Sequence, residues 1–113
     1  MPFVHMQLSR PLEPAVKKEL ASAVGGLISI LPNKSERGLM LRIEDNCGTF
    51  FRGTEADCAY VDVRLYLASP FDKKGEFARA LLEAIQRITG TEPGSVYMSF
   101  SEYGNWVSGG DIK

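Results

Sequence analysis

The chain has 113 residues, of which 44% are hydrophobic and 24% charged, as expected for one soluble globular domain. Thirteen basic and fourteen acidic residues nearly cancel, so neither nucleic acid nor an anionic membrane surface is favoured as a partner. The chain has two cysteines, one histidine and no glycine-rich phosphate loop, and we therefore expect neither a metal site nor a cofactor.

The amino-terminal segment lacks the charged and apolar regions of a signal peptide. The longest apolar run, residues 27–31, is too short to span a bilayer. We therefore expect a cytoplasmic protein without a membrane segment, and any secretion would have to follow a non-classical route.

Pro2 is the most informative residue of the amino terminus. A small residue after the initiator usually allows removal of Met1, which would leave Pro2 with a free secondary amine. An α-amino group titrates near ~8, and burial lowers its pKa further. Taken alone, a proline here is more often without a catalytic role. Its position nevertheless makes Pro2 a candidate base for abstracting a proton next to a carbonyl.

The first half of the chain predicts a strand, a helix and a strand. Apolar residues alternate over residues 3–8, which predicts the first strand. A helix is predicted to begin near Pro14 and to end at residues 31–33, where Leu-Pro-Asn stops it. A second strand is predicted over residues 39–43, and residues 50–51 predict a short edge strand.

The second half repeats this order. A strand is predicted over residues 58–67, followed by a helix from residue 70 or 71 to Thr89, with Gly90 as its carboxy-terminal cap. The last long strand is predicted over residues 96–100. The tail from residue 103 to 110 has the composition of a loop.

A shift of 57 residues superimposes the two halves, with matches such as Val4 on Val61 falling mainly at apolar positions. We therefore predict a single domain over residues 1–113, built from pseudo-repeats of about 2–57 and 58–113. Two such βαβ units form an α+β fold, in which one four-stranded mixed sheet carries both helices on one face. The other face and the sheet edges are then expected to meet further subunits of a cyclic oligomer.

Five features in this order resemble the macrophage migration inhibitory factor family within the tautomerase superfamily, over nearly the full length. They are the Met1-Pro2 start, the duplicated βαβ layout, Pro32-Asn33-Lys34 before a strand, residues 51–59, and residues 95–100 followed by a tail with Trp106. Residues 51–59, Phe-Arg-Gly-Thr-Glu-Ala-Asp-Cys-Ala, are similar to the family's Phe-Gly-Gly-Ser-Ser-Glu-Pro-Cys-Ala segment.

The resemblance implies a homotrimer with three active sites at subunit interfaces, which catalyses keto–enol tautomerisation of phenylpyruvate-like 2-oxo acids. Pro2 matches the catalytic base, and Lys34 matches the lysine that binds the substrate carboxylate. Tyr97 matches a tyrosine contributed by the neighbouring subunit. Tyr66 and Trp106 match residues that line the pocket.

Some positions depart from the family pattern. Ser99 stands where the family often has an asparagine across the interface, and Gly38 stands where an aromatic closes the pocket in mammalian members. Cys58 lacks the second cysteine of the family's CxxC motif, so thiol–disulfide chemistry by that route is not expected. An alternative to a tautomerase therefore stays open: a cytokine-like or receptor-binding protein with weak or vestigial activity.

Three arginines offer further cations for a carboxylate, namely Arg37, Arg42 and Arg64. Isolated arginines on strand faces usually meet solvent or a surface partner, so the sequence gives them no assigned role.

Overall fold

Two α-helices and eight strands, four of them only two residues long, follow one another along the chain. The structure, a computed structural model, describes all 113 residues. In chain order the elements are β1 (Pro2–Leu8), α1 (Pro14–Leu27), β2 (Met40–Glu44), β3 (Phe50–Phe51), β4 (Thr54–Glu55), β5 (Ala59–Tyr66), α2 (Phe71–Thr89), β6 (Val96–Tyr103), β7 (Val107–Ser108) and β8 (Asp111–Ile112). Short 3₁₀ turns occupy Ile28–Ile30, Glu36–Gly38 and Pro93–Ser95. Neither α-helix is both long enough and apolar enough to cross a membrane.

The main sheet has four strands in the order β2-β1-β5-β6. β1 pairs with β2 in parallel, and β5 pairs with β6 in parallel, while the central pair β1 and β5 is antiparallel. A parallel pair needs a crossover connection, and here α1 and α2 supply one each. The predicted α+β fold of two βαβ units around a four-stranded mixed sheet is confirmed.

The hydrophobic core lies between the sheet and the two helices. Alternate residues of β1 and β5 point to the helices and are fully buried, among them Val4, Met6, Val61 and Val63. The helices complete this core with residues spaced three and four apart, which are Leu20, Val24, Ile28, Phe77, Leu81 and Ile85. Only one face of the sheet is covered in this way.

The helix ends follow local chemistry. Gly90 adopts φ 80°, the left-handed conformation that a glycine cap allows, and its N–H donates to the Gln86 carbonyl. The first helix ends as an α-helix at Leu27, four residues before the predicted stop, and the path continues as the 3₁₀ turn Ile28–Ile30. Tightening of the last turn is common at helix ends, and Pro32 prevents any further extension.

The short strand predicted at residues 50–51 is present, and it lies outside the main sheet. β3 pairs only with β4, through a turn in which Arg52 (φ 54°) and Gly53 (φ 86°) are both left-handed. Two left-handed residues favour a tight two-residue hairpin over addition to the main sheet.

The prediction of a loop-like tail was wrong. β6 continues to Tyr103, three residues beyond the predicted end, because it pairs with β5 over its whole length. The tail then folds into the hairpin β7–β8, whose turn places Gly109 (φ 63°) and Gly110 (φ 78°) in the left-handed region. Glycines read as loop signals therefore belong to a hairpin turn.

Candidate active site at the amino terminus

The amino terminus lies at the end of a central strand of the sheet. Pro2 is buried and pairs with Leu65 of β5. The backbone N–H of Tyr66 donates to the Met1 carbonyl at 3.3 Å, so the pairing continues up to the first residue. Because β1 has a strand on each side, the sheet holds the amino-terminal backbone from both directions.

The surroundings of the terminus disfavour a positive charge. The pKa of the Met1 amino group lies below its ordinary value of 8.0, chiefly because burial removes water from the ammonium form. The positive charge of Lys34 lowers this pKa further. An amine at this end of β1 is therefore more easily deprotonated than a solvent-exposed one.

Lys34 is held beside the terminus. Asn33 adopts φ 64°, and the turn that it forms directs the chain into Lys34, whose N–H donates to the Leu31 carbonyl. The half-buried ammonium of Lys34 donates to the Tyr66 carbonyl at 2.9 Å. The Lys34 side chain thus contacts the Tyr66 backbone carbonyl. The N–H of the same residue, Tyr66, donates to the Met1 carbonyl, so Lys34 lies beside the amino terminus.

Gly38 borders directly on the amino terminus. A Cβ atom at this position would lie 3.7 Å from the Met1 nitrogen and 3.9 Å from Cδ of Pro2, which are ordinary contact distances. Position 38 could therefore carry a side chain against Pro2, and glycine leaves this approach open.

Trp106 lies at the same end of the sheet. Its ring packs edge-to-face on Tyr103, with 6.0 Å between the ring centroids, and Tyr103 pairs with Tyr66. Trp106 also lines a groove of about 480 Å³ on the uncovered face, together with Phe3 and Met40. The tail hairpin brings the only tryptophan of the chain close to the amino terminus.

Tyr97 lies at the other end of the sheet, and Ser99, which is paired with Asp62, lies between the two ends. Tyr97 is paired with Tyr60, whereas Pro2 is paired with Leu65, five positions further along β5. At about 3.3 Å per residue this separates the two ends by roughly 17 Å. Ser99 hydrogen-bonds the Tyr60 hydroxyl, and Tyr97, 63% exposed, packs on Phe51. One chain therefore gathers Pro2, Lys34, Tyr66 and Trp106 and keeps the other two predicted residues apart.

The sequence did not single out Phe3 and Met40, although both line the groove beside the terminus. Phe3 has a detectable signal, because it follows Pro2 in an alternating strand and must point to the opposite face. Met40 has none, since its place opposite Phe3 depends on the register between β1 and β2.

The fold and the amino-terminal geometry define a class of small α+β proteins made of two βαβ units. Solved structures share this fold over almost the whole chain. Leishmania major MIF2 gives a TM-score of 0.92 at 22% identity, covering 100% of this chain and 97% of the other. A macrophage migration inhibitory factor-like protein from Entamoeba histolytica gives 0.87 at 19% identity, covering 99% and 98%. A macrophage migration inhibitory factor homologue from Prochlorococcus marinus gives 0.80 at 19% identity, covering 97% of each chain.

A scan against protein-family models and a search of curated proteins each gave no match. The structural neighbours, in contrast, are macrophage migration inhibitory factor homologues and members of the tautomerase superfamily. The resemblance seen in the sequence is therefore confirmed for the fold. At these identities the likeness establishes the fold alone.

Proposed function

We propose that the protein is a keto–enol tautomerase of phenylpyruvate-like 2-oxo acids, with Pro2 as the general base after removal of Met1. The observation that carries this proposal is the burial of the β1 terminus next to the ammonium group of Lys34. These surroundings lower the pKa of the amino group now present, and they act in the same direction on the neighbouring Pro2 nitrogen once it is terminal.

The proton transfer follows from this arrangement. The neutral Pro2 nitrogen accepts a proton from the carbon next to the substrate's 2-oxo group, and the protonated nitrogen then returns this proton to the enolate oxygen; ketonisation runs in reverse. Lys34 binds the substrate carboxylate: its ammonium has three N–H donors, of which one donates to the Tyr66 carbonyl at 2.9 Å. The proton moves between carbon, nitrogen and oxygen without any change of oxidation state.

The complete site requires a second chain in this proposal. Tyr97 lies roughly 17 Å and Ser99 roughly 10 Å from Pro2 along the strand direction, at a strand rise of about 3.3 Å per residue, so we place both in the pocket of a neighbouring protomer. The uncovered sheet face, which carries the exposed side chains of Met40 and Tyr97, supports a homotrimer. Each site then combines Pro2, Lys34, Tyr66 and Trp106 of one protomer with Tyr97 and Ser99 of another.

Ketonisation of enol phenylpyruvate, followed by ultraviolet absorbance, tests the proposal. The protein lacking Met1 is compared with Pro2→Gly and with a form carrying one alanine before Pro2. Pro11→Gly is the matched control, because Pro11 is exposed and lies in the loop after β1. We expect the first and last proteins to be active and the other two to lose at least about a hundredfold in kcat/KM.

Equal rates for all four proteins would disprove the role of Pro2. If the protein lacking Met1 were inactive yet still oligomeric, the receptor-binding alternative would replace the enzyme.

A further inference from the structure

A groove with aromatic walls and a cationic end adjoins the amino-terminal site. We call it the Trp106 groove; its volume is about 480 Å³, and it is lined by Phe3, Met40, Arg42, Arg64, Tyr103, Asn105, Trp106 and Val107. Phe3 directly follows Pro2, and Met40 pairs with Phe3 across the parallel ladder. The groove therefore lies on the uncovered face, one residue along β1 from the proposed base.

The aromatic part of the groove suits a planar ring. Phe3 and Trp106 offer ring faces or edges, and Met40, 68% exposed, adds a flexible apolar wall. Tyr103 supports Trp106 from behind by an edge-to-face contact. An aromatic substituent on carbon 3 of a 2-oxo acid would enter this part of the groove first.

The charges on this face leave one cation without a partner. Each of the two carboxylates on the uncovered face of the main sheet already has one: Glu44 binds His5, and Asp62 binds Arg64 at 3.0 Å. Arg64 in addition lies over the ring of Phe3, 5.7 Å from its centroid. Within its own chain Arg42 makes no ion pair and no side-chain hydrogen bond, and it lines the same groove. No carboxylate of the same chain binds its guanidinium, which makes it the candidate anion-binding group of the groove.

The position of Arg42 sets what it would bind. Arg42 lies two residues beyond Met40 on β2, about 7 Å farther from the amino terminus at the rise of a strand. A para-substituted benzene ring spans a comparable length. We propose that Arg42 is a specificity residue, and that the natural substrate is an arylpyruvate whose ring carries a carboxylate or a similar anionic group. This inference rests on the proposed function of Pro2 and names the substrate class of that site.

Two substrates of nearly equal shape test the inference by kinetics. The enol forms of 4-carboxyphenylpyruvate and 4-methylphenylpyruvate differ at the position that Arg42 would contact. We expect kcat/KM to favour the carboxylate about tenfold in the wild type, through KM, as for one charge-assisted hydrogen bond. Arg42→Gln should abolish this preference and leave the methyl substrate within about twofold. Arg87→Gln, a matched change on α2 at the helix side of the molecule, should preserve the preference.

A preference that is absent from the wild type, or that persists in Arg42→Gln, would overturn the assignment. If phenylpyruvate itself were not turned over while the protein bound these acids, the proposed function would fail separately.

A binding measurement distinguishes failure of the proposed function from failure of the Arg42 assignment. Trp106 is the only tryptophan, so its fluorescence reports the groove directly. We expect 4-(carboxymethyl)benzoate to bind about tenfold more tightly than 4-methylphenylacetate, and Arg42→Gln to equalise them. Equal dissociation constants in the wild type would refute the inference whatever the activity.

Discussion

Replacement of Lys34 by glutamine probes the amino-terminal site most fully, because Lys34 affects the charge, the structure and the proposed substrate contact. Its charge lowers the pKa of the terminal amine, but burial is the larger cause. Removing the charge should therefore raise this pKa and still leave it below that of a solvent-exposed amino-terminal proline. The rising limb of the pH–rate profile should move to higher pH, since the base must be neutral to accept a proton.

The magnitudes follow from one contact. A hydrogen bond from a charged group contributes about 1.5–3 kcal/mol, and the bond from Lys34 to the Tyr66 carbonyl measures 2.9 Å. Lys34 is only half buried, so we expect a loss of about 1 kcal/mol in the free energy of unfolding, or about 4 °C in Tm. The same range for the substrate carboxylate predicts a rise in KM of roughly ten- to hundredfold.

Lys18→Gln is the matched control, because Lys18 is exposed on α1 and makes no ion pair. Urea unfolding and the pH–rate profile should be unchanged in this variant. If Lys34→Gln kept its KM within about twofold, or moved the rising limb to lower pH, the assignment of Lys34 would be wrong.

Three further predictions concern the fold. Phe77→Ala, which empties a fully buried site against Phe100, should cost about 3–5 kcal/mol in urea unfolding; a cost under 1 kcal/mol would contradict the core described above. Gly90→Ala should cost about 1–2 kcal/mol by calorimetry, because φ is 80° there, and a stabilised variant would argue against that conformation. Glu102 accepts from the Ser69 N–H and from Lys74, and both lower its pKa. Its contribution is therefore present above pH 4.5 and lost as pH falls through the lowered value, so Glu102→Gln should flatten acid unfolding; an unchanged pH slope would exclude the effect.

Local pattern predicted most of the fold because the relevant signals are short-range. The alternation of residues 3–8, the stop at Gly90 and the helix beginning at Pro14 act within a few residues, and each matches the structure. The tail hairpin β7–β8 was missed because two-residue strands leave almost no period to detect. The partner of β3 was missed because the left-handed conformation of Arg52 is not evident from its residue type.

The site was predictable only in part, for a related reason. The turn at Asn33 positions Lys34, and asparagine is a residue typical of such turns. The contact between Lys34 and Tyr66, in contrast, joins residues 32 positions apart along the chain. The groove depends on the register that sets Met40 opposite Phe3 and on the hairpin that returns Trp106 to the sheet. Such long-range relations are absent from the local patterns that the sequence offers.

Titration of the Pro2 nitrogen shows whether Pro2 can act as the base. The protein lacking Met1 is labelled with ¹⁵N-proline, and the chemical shift of the terminal nitrogen is followed against pH by NMR. Burial and the charge of Lys34 both lower the pKa of an amine at this position, so we expect a midpoint below that of the amino-terminal proline in an exposed Pro-Phe-Val peptide titrated in the same way. A midpoint at or above that of the peptide would mean that these surroundings do not favour the neutral amine, and Pro2 would not be the base.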